Sequence, residues 1–187
     1  NSNANEIGVL NINDITNISK TEITLPDGGV NSVDFANGYI AVAQEDTNKQ
    51  ANGKVLFYNL AGNLVNSVTV GALPDMVTFS PNGQMVLTAN EGEPNADYSV
   101  DPLGSVSIID VSGGIANLSQ ADVSTLDFTV FNNNIDPLVR INGNSGLSSV
   151  AQDLEPEYVA VSEDSKTAYV ALQENNAIAI IDLTTKT

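Results

Sequence analysis

Short apolar runs, separated by turn-forming residues, set the pattern of this chain. Three segments align by eye: VNSVDFANGYIAVAQED, LPDMVTFSPNGQMVLTANEG and LEPEYVAVSEDSKTAYVALQEN. Each reads as a strand, a tight turn and a second strand ending in polar or acidic residues. The turns are Ala36-Asn37-Gly38, Ser80-Pro81-Asn82-Gly83 and Ser162-Glu163-Asp164-Ser165. Asn and Gly tolerate positive φ, so Asn-Gly between apolar runs predicts a hairpin. A third strand follows in each copy, at 53–60, 104–111 and 176–183, rich in Val, Ile, Phe and Tyr. These residues suit a half-buried sheet. Fourth strands are predicted at 67–70 and near 126–131. The first two copies lie about 44 residues apart, the period of four-stranded propeller blades. The fold class predicted is all-β: four-stranded antiparallel meanders forming an incomplete ring of roughly three to four β-propeller blades.

The expected organisation is one propeller domain. Residues 5–25 end a preceding blade, 26–70 and 71–131 form two blades, 132–153 an inserted loop, and 154–187 an incomplete blade. The stretch from about 112 to 153 is rich in Asn, Ser and Gly, as surface insertions are. One short helical turn is expected within 117–125. Ser2-Asn3-Ala4 reads as a cloning remnant without structure. Known propellers close with at least four blades, and an open array exposes faces and edges. The rest of the ring is therefore expected from further C-terminal sequence.

Charge narrows the choice of partners. With 23 acidic against 6 basic residues, the net charge is −17. Such a chain repels nucleic-acid phosphates and anionic membrane surfaces and favours cations or basic partners. There is no Cys and no His. That excludes a disulfide framework, a Ser-His-Asp triad and Cys- or His-ligated metal within this chain. Any metal would be held by oxygen: calcium, magnesium or manganese. No apolar run reaches membrane-spanning length. No Gly-rich phosphate loop leads from a strand into a helix, so nucleotide binding has no support; no flavin or haem is expected.

Three strings resemble the choice-of-anchor I family of bacterial secreted propellers: GALPDMVTFSPNGQMVLTANEGEPN, GSVSIIDVS and SVAQDLEPEYVAVSEDSKTAYVALQENNAIAIIDL. The resemblance runs through nearly the whole chain after about residue 30. It implies a cell-surface, periplasmic or extracellular protein. Related animal proteins are described as mesenchyme-specific cell-surface glycoproteins, and some bacterial members carry an alkaline phosphatase label. The inserted segment 132–149 has no counterpart in this resemblance.

The repeat also places the acids. In an up-and-down blade the segment entering the first strand and the loop after the second lie at one mouth of the channel. Glu45, Asp75, Glu91, Glu93, Asp97, Asp101, Asp153, Glu155, Glu157 and Glu174 all fall there. Few acids, Glu163, Asp164 and Asp182 among them, fall at the other. Converging carboxylates repel unless a cation neutralises them. Calcium takes six to eight oxygens, and the loop NEGEPNADYSVDPLG offers Glu91, Glu93, Asp97 and Asp101 with Asn90 and Asn95. Its spacing is not that of an EF-hand. Asp153, Glu155 and Glu157 are candidates from the next blade. Glu45, Asp75, Asn90, Tyr98 and Glu174 complete the candidate ligand face. Set against this, acids in exposed loops are commonly solvated and bind nothing.

Weaker features are the sequons at Asn17 and Asn117, and Arg140, read as a surface ion pair. Tyr39, Tyr58, Tyr158 and Tyr169 are read as core or blade packing. Three functions fit the sequence. One is a surface binding or scaffold module, with a calcium-binding acidic face, for an unknown protein or glycan partner. The second is a calcium-dependent phosphoesterase, in which the metal would clamp phosphate and orient water. The third is an architectural repeat domain carrying catalysis elsewhere in the polypeptide.

Overall fold

Asn37 and Gly38 both take positive φ, 53° and 83°. That left-handed pair lets β3 (Val30–Ala36) turn directly into β4 (Tyr39–Gln44). Gly83 and Ser165, with φ of 67° and 59°, serve the corresponding turns. These turns join one another: the Asn37 amide donates to the Gly83 carbonyl at 3.3 Å, and the Asn82 N–H to the Ser165 hydroxyl at 3.0 Å.

The computed structural model describes residues 5–187, so the reading of Ser2–Ala4 lies outside it. Its thirteen strands form four antiparallel sheets of two, four, four and three strands. The first pairs β1 (Glu6–Asn11) with β2 (Ser19–Thr24). The second adds β5 (Asn52–Asn59) and β6 (Leu64–Ala72) to β3 and β4. The third runs β7 (Pro74–Phe79), β8 (Met85–Asn90), β9 (Ser105–Asp110), β10 (Val123–Asp127). The fourth is β11 (Pro156–Val161), β12 (Thr167–Leu172), β13 (Ala177–Asp182). Strands follow chain order within each sheet, as meanders require. First strands neighbour one another, β3 against β7 and β7 against β11. This is the blade arrangement of a β-propeller.

Blades pack face to face. Ala41, Ala43, Val55 and Phe57 of the second sheet meet Val77, Phe79, Val86 and Ile109 of the third. On the other side of the third sheet, Leu87, Val106 and Ile108 meet Val159, Val170 and Ile181. A sheet covered on both faces cannot alternate apolar and polar residues. The middle strands of the third sheet are accordingly buried along most of their length, with polar Thr88, Asn90, Ser105 and Ser107 buried among the apolar residues.

Three elements differ from expectation. β6 is longer than 67–70. β10 ends at Asp127, where 126–131 had been expected. There the Asp127 carboxylate accepts from the Thr129 N–H and hydroxyl, turning the chain into a 3-10 turn at Thr129–Phe131. The single helical turn expected in 117–125 becomes two 3-10 turns, Ile115–Asn117 and Gln120–Asp122. Tyr58 is buried, whereas Tyr158 and Tyr169 stand exposed on the far face of the fourth sheet.

Candidate functional site

Each first strand begins with a β-bulge at the same repeat position. The register shifts between Val30 and Ser32, between Pro74 and Met76, and between Pro156 and Tyr158. The bulged residues are Asn31, Asp75 and Glu157. A bulge re-aims a side chain at a sheet rim, and here it does so at the channel mouth. Glu45 and Glu91 occupy matching positions just after the second strands. Their N–H groups bond back to the carbonyls of Gly29 and Leu73, both at 2.9 Å. Glu155 precedes the bulge of the fourth sheet directly.

These positions form one electrostatic network. Burial, then the charges of Asp75, Glu93, Glu155 and Glu157, push Glu91 up to about 8. Burial, then Glu174, Asp153, Glu93 and Asp101, push Glu155 up to about 7. Asp75 is raised by burial and Glu45, with Lys49 partly offsetting them. Glu157 is raised by burial, Asp75 and Glu174. Both loss of hydration and like charge disfavour the carboxylate form. Near Asp75 the opposing charge comes from Lys49, whose ammonium lies 3.7 Å from Glu45. The Gln50 amide donates to the Glu93 carbonyl at 3.1 Å, tying the two loops across the blade boundary.

The structure thus brings Glu45, Asp75, Glu91, Glu93, Glu155, Glu157 and Glu174 together, with Asp101 and Asp153 close enough to act on Glu155, and it gives Asp97, Tyr98, Asn90 and the two aspartates local partners of their own. Asp97 bonds the Ser99 hydroxyl and N–H within its own exposed loop, which holds its carboxyl below the usual range. Tyr98 is exposed beside it, at φ 55°. Asn90 is fully buried: its side chain accepts from Thr88 and donates to Ser105 and Ser107. It therefore braces β8 against β9 beneath the face. Asp101 accepts from the Ser148 hydroxyl, and its carbonyl accepts from the Gln152 amide. Its other carboxylate oxygen is buried without a partner. Asp153 accepts from the N–H groups of Asn142 and Gly143 at 2.8 and 2.6 Å. Both aspartates hold the inserted segment to the rim.

Two residues escaped the sequence reading. Buried Asn175 donates to the Arg140 carbonyl and to Asp153, fastening the same insertion. Asn31 donates to the Glu45 carboxylate and the Pro74 carbonyl, linking the second and third sheets at the mouth. Its place in the bulge, matching Asp75 and Glu157, was the available signal. Among the described residues, no group of three or more His, Cys, Asp or Glu side chains is arranged to hold a metal ion.

The family model described as the choice-of-anchor I domain matches residues 2–187. No curated protein matches. A solved structure described as "Crystal structure of the eukaryotic initiation factor" is similar at 16% identity and a TM-score of 0.50; the match covers 84% of this chain and 30% of that one. Another, "Crystal Structure of Mitotic Checkpoint Complex", is similar at 14% identity and a TM-score of 0.52, covering 94% and 45%. This chain therefore spans less than half of either neighbour. Both likenesses are to parts of propellers and bear on fold alone.

Proposed function

The chain belongs to the choice-of-anchor I family, and from that premise we propose that it is a binding module of a surface-anchored protein, presenting an acidic channel mouth to a cationic partner. One observation carries this reading: Glu91, half-buried among four other acids, has its carboxyl pushed up to about 8. A cation placed there would relieve that repulsion and let the carboxylate ionise, which gives a cationic partner a binding advantage. A neutral glycan would gain nothing from it. The acids are strung from blade to blade, and no metal-holding group of three is assembled among the described residues. The row therefore suits spread positive charge, such as a basic protein segment. Calcium would compete for the same oxygens.

The surface location rests on the family. Among the described residues, no helix is long and apolar enough to cross a membrane. Calcium-dependent phosphoester hydrolysis needs the metal held at a fixed point, and no observation of the row favours that alternative. The test is thermal unfolding with millimolar calcium or an oligolysine peptide. Both are expected to raise the Tm, and Glu91→Ala to weaken the effect. An unchanged melting curve with both would refute the proposal.

A further inference from the structure

A cavity of about 350 Å³ lies between the outer strands of the second and third sheets. Small residues line it: Gly71 and Ala72 of β6, and Ser105 of β9. A Cβ on Gly71 would come within 2.5 Å of the Ser105 hydroxyl and 2.8 Å of the Asn90 side chain. The next blade boundary is built differently. By the repeat, Ala72 and Ser105 correspond to Leu154 and Ala177, which the insertion packs with Phe128 and Ala151. β6 leads into β7 with no insertion, and the boundary there keeps its space. Its walls are apolar at Val70 and Leu103 and polar at Asn52, Thr125 and Asp127. One Asp127 oxygen accepts from the Thr129 N–H and hydroxyl, which holds the carboxyl below the usual range and so ionised at neutral pH. Among the described residues, no Lys or Arg lines the cavity, so an anion would be repelled. An added strand is disfavoured as the occupant. The Gln120 amide already accepts from the Thr69 N–H and donates to the Thr69 carbonyl, both at 2.9 Å, capping that edge of β6.

The cavity adjoins the acidic mouth. Directly beyond Glu91, the Gly92 N–H bonds the carbonyl of Ala72 at 3.2 Å. Leu103 lies against the same glycine, where a Cβ would come within 2.8 Å of the Leu103 carbonyl oxygen. We propose that this cavity receives an arginine side chain of a basic partner segment that also lies over the acidic mouth; the inference rests on the reading of the mouth given above. Arginine fits each wall. Its methylene stem packs on Val70 and Leu103. Its guanidinium carries five N–H donors and no acceptor. The polar wall offers acceptors in the Asp127 carboxylate, the Asn52 amide oxygen and the Thr125 hydroxyl. A planar fork meets several acceptors at once, as the compact lysine ammonium does not. An extended chain advances about 3.3 Å per residue, so a few residues link the two sites.

The test has two arms. In the first, the protein is titrated with acetyl-arginine methylamide while backbone amide shifts are followed by NMR. Shifts are expected at Asn52, Gly71 and Thr125, and their loss in Asp127→Asn and in Thr125→Phe, which fills the space. Asn at 127 keeps an oxygen for Thr129, so the turn after β10 should stand; an unchanged Tm checks this. In the second arm, calorimetry compares an oligolysine peptide with the same peptide carrying one central arginine. The arginine peptide is expected to bind about tenfold more tightly. Asp127→Asn should remove that advantage and leave oligolysine binding within about twofold. Absent shifts, shifts that persist in both variants, or two peptides that bind equally tightly would overturn the proposal. Arginine shifts at the cavity with no binding of either peptide would uphold the cavity as an arginine site and overturn only the reading of the mouth.

Discussion

Asp34 of β3 accepts hydrogen bonds from the Phe79 N–H at 2.7 Å and from the Thr78 hydroxyl at 3.1 Å. A first strand has a sheet partner on one side only, so its N–H groups facing the channel lack ladder acceptors. Asp34 supplies one from the neighbouring blade and so fixes the spacing of β3 and β7. Asp34→Ala should cost about 1–3 kcal/mol, the range for leaving a partly buried donor unsatisfied. Asp34→Asn keeps an acceptor and should cost less. Urea unfolding of both variants checks the order.

Gly104 packs backbone to backbone against residues 151–154, its N–H bonding the Ala151 carbonyl. A Cβ there would lie 1.8 Å from the Leu154 carbonyl oxygen. Gly104→Ala should therefore displace the backbone of 151–156 and cost about 1–3 kcal/mol, as overpacking does. Gly113, with no atom near its Cβ position, serves as the control. Gly113→Ala should change stability by less than about 1 kcal/mol.

Asp153 gathers two backbone N–H groups and the Asn175 amide. Asp153→Ala should loosen the 138–147 segment while leaving the blades folded. Faster proteolytic nicking within that segment, with far-ultraviolet circular dichroism unchanged, is the expected result. Nicking at the wild-type rate would show that Asn175 alone suffices.

Stability should fall as pH rises across the neutral range. Glu91 has a folded pKa of about 8 against an ordinary 4.5. The folded state therefore holds a proton that the unfolded chain releases. Its contribution is complete below about 4.5 and lost as pH passes about 8. Glu155 acts in the same direction up to about 7. Glu91→Gln removes the titration. At pH 9 it should stabilise by roughly 1 kcal/mol after allowance for solvent screening, or about 2–4 °C in Tm. At pH 4 it should change little.

The blades were legible because their cause is local. Asn37-Gly38 and Asn82-Gly83 announce hairpins, and runs such as Val55-Leu56-Phe57-Tyr58 announce strands covered on both faces. Alternating strand direction was enough to bring Asp75, Glu91, Glu155 and Glu157 to one mouth. What eluded the sequence depends on distant partners. Asp101 and Asp153 looked like ligands beside Glu91, yet Ser148, Asn142 and Gly143 occupy them. Asn90 read as a candidate of the ligand face, but it is the last residue of β8 and its side chain is buried. Asp34 and Asn175 carry no local mark, since their acceptors and donors lie on other blades or on the insertion.

The most direct test of the acidic mouth is calorimetric titration of an oligolysine peptide at pH 7 in buffers of different ionisation enthalpy. Ionising Glu91 as the peptide binds should release protons, so the apparent enthalpy should vary with the buffer, and Glu91→Gln should remove most of that variation. Binding with no proton release, or the same release in Glu91→Gln, would contradict the account.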